Sequence, residues 1–313
     1  MRPLDADRPV VAIGSSGLDI VGRAAEVLHM RTSNPAALRM SPGGVARNVA
    51  ENLARLGTEV YLISAVGDDP EGRLVLAQTA EAGVHIDTVL TVPGARTGAY
   101  LAVLDEQGKL HLAMDDMRIV EAVTPEHLRA CRSLIEHASV VFVDGNLSPR
   151  SLGLVVRLAR QAGVPVAADP TSVSLAPRFA DLLGDLWLFM PNEAEAGVLV
   201  PHPQAHTDRV RALDIAHHLV AQGVGAAVIT MAEFGVAYAS PEVSGLVPSV
   251  QTDIVDPTGA GDALTAAVLF ARLNDIPLDE AVRLGASAAA LTLRTPGSVV
   301  PTLSLELLYD QLR

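Results

Sequence analysis

Short runs of aliphatic and β-branched residues alternate with longer amphipathic stretches along most of the chain. Val10–Ile13, closed by Gly14, has the pattern of a buried strand, and residues 59–65 have the pattern of the next one. From Pro125 onward the alternation is regular. It predicts a helix over 125–137, a strand over 140–143, a helix over 148–162 and a strand over 164–168 ending in Asp169-Pro170. A strand over 186–190, a helix over 208–222, strands over 226–231 and 235–239, and a helix over Leu278–Leu293 follow. Strands separated by helices imply parallel pairing through right-handed crossovers, the α/β class. No linker, repeat or low-complexity tract divides residues 1–313, so one domain is expected.

Two regions break this rhythm. Residues 97–104 and 109–113 flank Asp105-Glu106-Gln107-Gly108, a hairpin signal with glycine in the loop. Residues 20–41 hold short apolar patches between turn signals at Ser33-Asn34-Pro35 and Ser41-Pro42. Together they predict a small sheet apart from the main one, with segments near 20–41 and 95–118.

Two helix starts carry candidate chemistry. Ser41-Pro42-Gly43-Gly44-Val45-Ala46-Arg47-Asn48 opens a helix to Gly57, with Val45, Val49, Leu53 and Leu56 on one stripe. Adjacent glycines let a ligand approach the backbone, and Asn48 presents an amide to the same space; a structural cap explains the glycines about as well. Asp256-Pro257-Thr258-Gly259-Ala260-Gly261-Asp262 precedes the apolar run 263–271, a tight loop opening a buried helix. Thr258 is placed to cap it, and Gly259 and Gly261 leave the amides open to an anion. Asp262 would repel that anion unless it accepts a proton, binds a metal or adjoins a transferred group, a tension that suggests phosphoryl transfer. A plain cap with glycines for packing weighs about equally. Leu264 excludes a dinucleotide fingerprint, and the loop lacks the Gly-Lys-Ser/Thr ending of a Walker loop.

Elsewhere the residues alone support bland readings as readily. Asp19 falls where open α/β sheets place ligands, but also where a turn would put an Asp. Asn192 and Glu195, one turn apart after Pro191, make an ordinary helix start. Gly67-Asp68-Asp69-Pro70 lacks the alternation of a calcium loop and reads as a turn into a helix. His202 and His206 have metal-like spacing without a third ligand and read as surface residues, as do the adjacent His217 and His218.

Composition narrows the classes. Apolar residues make up 49% of the 313, yet aromatics only 3%, so Ala, Val and Leu must form the core. A formal net charge of −13 argues against partnership with nucleic acid or an anionic membrane. A single cysteine, Cys131, permits no internal disulfide, and no apolar run approaches the roughly 18 residues of a spanning helix. A soluble cytoplasmic protein is expected.

The loop from Asp256 to Asp262 resembles the C-terminal signature of the ribokinase-like (PfkB) family of carbohydrate and nucleoside kinases, with Pro257 where that family often has Thr. The resemblance implies a three-layer α/β/α fold with a mostly parallel central sheet and a small β-sheet lid. It implies that Asp262 is the catalytic base and that the amides of Gly259, Ala260 and Gly261 form an anion hole. Asp19, Gly43, Gly44 and Asn48 would bind the sugar. Pro191-Asn192 and Glu195 match the stretch that organises phosphate and Mg2+, largely through water. Thr230, Gly235, Thr258 and Gly261 would lie on the ATP, although Ala232 stands where glycine is usual, and Asp256 would adjoin a monovalent cation such as K+. Within the family, the resemblance extends over roughly residues 10–300 to members that phosphorylate the 5′-hydroxyl of pseudouridine. Ser33-Asn34-Pro35, Asp105 with Gly108, and Asp115-Asp116-Met117 carry it, implying that Asn34, Asp116 and Met117 read the base and that lids pair in a homodimer. A kinase of uridine, ribose or a related compound is the alternative, and a non-catalytic nucleoside sensor a third. The helix N-terminus is expected to lower the pKa of Asp262.

Overall fold

The computed structural model describes residues 4–200 and 209–312, so His202 and His206 lie outside the described residues. The strands, in chain order, are β1 (Val10–Ile13), β2 (Gly17–Ala24), β3 (Ala36–Gly43), β4 (Val60–Ile63), β5 (Ala65–Gly67), β6 (Leu90–Val92), β7 (Gly98–Leu104) and β8 (Leu110–Asp116). They continue with β9 (Val140–Asp144), β10 (Val166–Asp169), β11 (Leu188–Phe189), β12 (Ala226–Thr230), β13 (Val236–Ala239) and β14 (Ser244–Val247). The helices are α1 (Val45–Arg55), α2 (Pro70–Glu81), α3 (Pro125–Ala130), α4 (Arg132–His137), α5 (Pro149–Ala162), α6 (Glu193–Gly197), α7 (Arg209–Ala221), α8 (Ala260–Leu273), α9 (Leu278–Leu293) and α10 (Leu305–Asp310).

Eight strands form the main sheet in the order β14-β13-β12-β11-β10-β9-β1-β4. The six from β12 to β4 pair in parallel, as the strand–helix alternation predicts. All four residues of β1 are buried because helices cover both faces. Alternate side chains then enter different cores: Val10 and Ala12 join α1, α8 and α9, while Val11 and Ile13 join α5 and α7.

The structure departs from the sequence reading at several points. β13 pairs antiparallel with β12, because residues 231–235 are too few for a crossover and close a hairpin instead. β14 extends that edge, and neither it nor α10 is marked by periodicity strong enough to predict it. The helix expected over 125–137 is two, interrupted at Cys131, whose backbone (φ −88°, ψ 9°) leaves the α region. Among the described residues no helix is long and apolar enough to cross a membrane.

The small sheet runs β3-β2-β7-β8. It begins earlier and ends later than expected: β2 starts at Gly17 and β3 reaches Gly43, directly before α1. Register places Ser41, Asp19, Tyr100 and Asp115 in one row across the sheet. The neighbouring rows, Met40-Ile20-Leu101-Met114 and Leu38-Gly22-Val103-Leu112, point to the opposite face. There Leu38, Met40, Leu112 and Met114 are exposed.

Helices α8 and α9 pack through Gly285, where a Cβ would lie 2.9 Å from a Val268 methyl and 3.2 Å from the Leu264 carbonyl oxygen. Gly285→Ala is therefore expected to destabilise the fold by about 1–3 kcal/mol despite the higher helix propensity of alanine, measured by denaturant unfolding.

Candidate active site

The site is built where two helix N-termini, α1 and α8, meet the C-terminal ends of the parallel strands, the edge at which open α/β sheets bind ligands. The two starts are not equivalent. At α1, Val45 N–H donates to Ser15 Oγ (2.9 Å), Ala46 N–H to Asp144 Oδ2 (3.1 Å) and Arg47 N–H to the Ser15 carbonyl (3.1 Å). Those amides are taken by the protein itself. At α8 the residue at the cap is Gly259, in the left-handed region (φ 78°), with no side-chain cap. Thr258, expected to cap it, instead donates its N–H to Asp256 Oδ1 (3.0 Å).

The two glycines of that loop differ in their reasons. A Cβ on Gly259 would collide with the Ser298 carbonyl, so packing and φ both demand glycine. A Cβ on Gly261 would meet nothing within 4 Å. Close packing does not explain Gly261, which borders open space above the helix start. Gly43 is different again, since its Cβ would collide with the Asp19 carboxylate.

Asp262, in the first turn of α8, accepts a hydrogen bond from Asn48 Nδ2 (2.7 Å). Asn48 is held in turn by Arg47 Nη1 on its Oδ1 (3.0 Å), and Arg47 pairs with the buried Glu51. Asp262, Asp19 and Asn48 share a cleft of about 330 Å³ with Tyr100, Asp115 and Met117. Asp19 Oδ2 is buried without a hydrogen-bond partner, an acceptor left open toward a ligand. Burial pushes both carboxyls up, Asp262 to about 7 and Asp19 to about 7, with Asp262 further raising Asp19. This corrects the lowered pKa expected of Asp262: desolvation outweighs the helix end and the Asn48 bond.

Two further carboxylates belong here that sequence reasoning passed over. Asp144 ends β9, is fully buried, and accepts from Ser15 N–H (2.7 Å), Ser15 Oγ–H (2.6 Å), Ala46 N–H and Asn146 N–H (2.9 Å). Asp169 ends β10, and burial, Glu195 and Asp262 together raise its pKa well above the ordinary aspartate value. A carboxylate closing a β-branched or aliphatic run at the sheet's C-terminal edge was present at both, whereas Asp19, expected at such an edge, lies inside β2 of the small sheet.

Asn192 and Glu195 form a complete capping box on α6. Glu195 Oε2 accepts from Asn192 N–H (2.8 Å), Glu195 Oε1 from Asn192 Nδ2 (2.7 Å), and Asn192 Oδ1 from Glu195 N–H (2.9 Å). Burial raises the Glu195 pKa. Thr230 is brought beside this pair by a parallel bridge to Asn192, its N–H donating to the Pro191 carbonyl (3.2 Å). Gly235 sits in the β12–β13 hairpin at φ 99°, where a Cβ would collide with the Val247 carbonyl. Ala232, where glycine is usual, takes a left-handed backbone (φ 46°).

Two residues expected on the substrate are not brought to it. Asn34 is tied into its own turn, accepting from His29 N–H (2.7 Å) and donating to the carbonyls of His29 (3.0 Å) and Thr32 (3.2 Å). Asp116 is exposed and paired with Arg118 (2.5 Å). Strand alternation is the reason: one residue before it, Asp115 faces the cleft. Asp256, expected beside a monovalent cation, is fully buried; its Oδ2 accepts from Gly297 N–H (3.1 Å) and pairs with Arg39 of the small sheet. Among the described residues no group of three or more His, Cys, Asp or Glu has metal-holding geometry.

An α/β/α core whose open helix start faces a carboxylate and a polar cleft is an arrangement that suits a small anionic or phosphate-bearing ligand. The chain matches the pfkB family carbohydrate kinase description over residues 7–304, and it belongs to that family. It is 35% identical to the pseudouridine kinase of Escherichia coli over 95% of this chain and 94% of that one. It is 30% identical to the guanosine-inosine kinase of Exiguobacterium acetylicum, covering 93% and 97%. The structure of Arabidopsis thaliana ribokinase complexed with ribose and ATP superposes with a TM-score of 0.81 at 22% identity, covering 98% and 99%, and shares the fold. The protein is thus a sugar or nucleoside kinase with the ribokinase-like fold.

A carboxyl whose pKa rises on folding binds its proton more tightly in the native state, so between about pH 4 and 7 stability falls as pH rises. Asp262→Asn removes that loss. The variant is expected to melt above the wild type at pH 8 and to show no such advantage below pH 4, measured by thermal unfolding across the range.

Proposed function

We propose that this protein is an ATP-dependent kinase of the 5′-hydroxyl of pseudouridine. In this reading residues 1–313 form one catalytic unit, and the small sheet is its lid. The observation that carries the kinase reading is Asp262 in the first turn of the uncapped helix α8, above open space at Gly261 and bonded to Asn48.

The chemistry follows from these groups. Asp19, with its open acceptor, takes sugar hydroxyls and aims the remaining one at Asp262. A carboxyl with a pKa of about 7 is ionised often enough near neutrality to accept the hydroxyl proton. The amides at the start of α8 face the phosphoryl oxygens, where the dipole and N–H groups favour negative charge. The loose transition state of phosphoryl transfer asks mainly for this positioning. Magnesium carried with ATP would supply charge neutralisation on the side of Asn192 and Glu195; the buried acids Asp169 and Glu195, both pushed toward protonation, are a setting that a cation relieves.

The likeness to the Escherichia coli pseudouridine kinase supports the substrate, and the cleft supplies a chemical reason. Pseudouridine differs from uridine by a ring N–H at the base edge. Asp115, in one row with Asp19 and Tyr100, gives that N–H an acceptor, which uridine would leave unmatched. Asp115 thereby takes the role first assigned to Asn34 and Asp116. The exposed outer face around Leu38, Met40, Leu112 and Met114 is where a homodimer would form through paired lids. Met40→Glu is expected to give monomers in sedimentation.

Asp262→Asn is expected to lower kcat by about two to four orders of magnitude with the fold intact. In kcat/KM at saturating ATP, pseudouridine should exceed uridine by about tenfold or more, and Asp115→Ala should narrow that gap. A preference for ribose, uridine or a purine nucleoside would overturn the substrate and leave the kinase standing.

A further inference from the structure

One charge in the site has no part in the chemistry above. Arg39 lies on β3 of the small sheet, yet its guanidinium pairs with Asp256, 217 residues later, in the loop that leads into α8. Asp256 has no exposed surface and is the knot of that loop. Its Oδ1 accepts from Thr258 N–H and its Oδ2 from Gly297 N–H, while its own N–H donates to the Leu293 carbonyl (3.2 Å). Ser298, next to Gly297, is the residue whose carbonyl leaves no room for a Cβ on Gly259. The backbone that presents the α8 amides is therefore set around one buried carboxylate.

A buried carboxylate needs a positive partner, and losing that partner is strongly destabilising. A monovalent cation beside Asp256 would meet the demand. This carboxylate does not suit one: each of its oxygens already accepts an N–H, and a guanidinium stands against Oδ2. A second cation there would be repelled by the first. Arg39 also brings something a free ion lacks, since its charge acts on Asp19 as well and so reaches both the sugar side and the phosphate side.

We propose that Arg39 is the built-in cation of the α8 loop, holding it in the phosphate-binding shape without potassium and tying the small sheet to it. The proposal rests on the reading of α8 as the phosphoryl site. Arg39 is a positioning residue in it.

The test compares full-length wild type, Arg39→Ala and Arg39→Lys in KCl, NaCl and choline chloride at equal ionic strength. Both phosphorylation rate and melting temperature without substrate are followed. The wild type is expected to show the same rate and melting temperature in all three salts. Arg39→Ala should lose on the order of tenfold to a hundredfold in kcat in choline chloride, the scale of a misplaced catalytic loop. It should recover rate with KCl or millimolar guanidinium, and KCl should raise its melting temperature above that in NaCl. Arg39→Lys should stay salt-indifferent. Wild-type activation or stabilisation specific to potassium would overturn the proposal, as would an Arg39→Ala variant that no cation restores. Should Arg39→Ala not fold, the wild type and Arg39→Lys decide by the same criterion. A chain that phosphorylates no sugar or nucleoside in any salt would sink the kinase reading instead, and the melting temperatures would still report on the lock.

Discussion

Asp144 accepts four hydrogen bonds at a point shut off from solvent, and the arrangement of the cleft depends on it. Its donors come from the end of β1, the start of α1 and the turn after its own strand. Removing a carboxylate from water is costly, and four well-placed donors offset that cost only in one geometry. The carboxylate therefore fixes where α1 begins relative to the sheet. Gly14 makes room for it, because a Cβ there would fall on the carboxylate itself. Once α1 is placed, Arg47 and Asn48 are placed, and Asn48 in turn sets the carboxylate of Asp262 across the gap to α8. The separation between the start of α1 and the Asp262 carboxylate needs no other origin than this chain of bonds.

The same enclosure explains the electrostatics. Asp19, Asp144, Asp169, Glu195 and Asp262 converge on one end of the sheet, and burial is the largest cause raising the pKa of each; acidic neighbours add to it at Asp19, Asp169 and Asp262, while hydrogen bonds oppose it at Asp144, Glu195 and Asp262. Arg47 lowers the values of Asp19 and Asp262, and loses some of its own basicity to burial. A protein of formal charge −13 thus gathers five acids at one end of its sheet, where enclosure pushes each toward its neutral form. Charged ligands that carry a cation with them fit such a site; bare anions do not.

Much of this was legible in the chain. The bounds of α9 fell where its apolar pattern starts and stops, and β1 was marked by four aliphatic residues before a glycine. The helix starts at Gly44 and Gly259 were visible because glycine pairs and apolar runs are local signals. What escaped was set by contacts distant in sequence. Nothing local tells that Ser15 and Ala46 both reach Asp144, or that β13 turns back on β12. The dipole argument for Asp262 failed for the same reason: it counted the helix and not the burial. Asp116 turns away from the cleft and Asp115 toward it because a resemblance names positions, while strand register decides which of them face the cleft.

The manner in which the small sheet is attached has a mechanical consequence. Only three residues separate β1 from β2, and β3 runs straight into Gly44 at the start of α1. These two crossings touch, since a Cβ on Gly44 would press on the Ser15 carbonyl at 2.7 Å. The sheet is thus mounted on two adjacent connections, and Ser15, Asp19 and Gly44, within or beside them, line the cleft. A molecule resting in the cleft would touch both connections at once, so any displacement of the small sheet against the main one is felt directly where Ser15, Asp19 and Gly44 line the cleft.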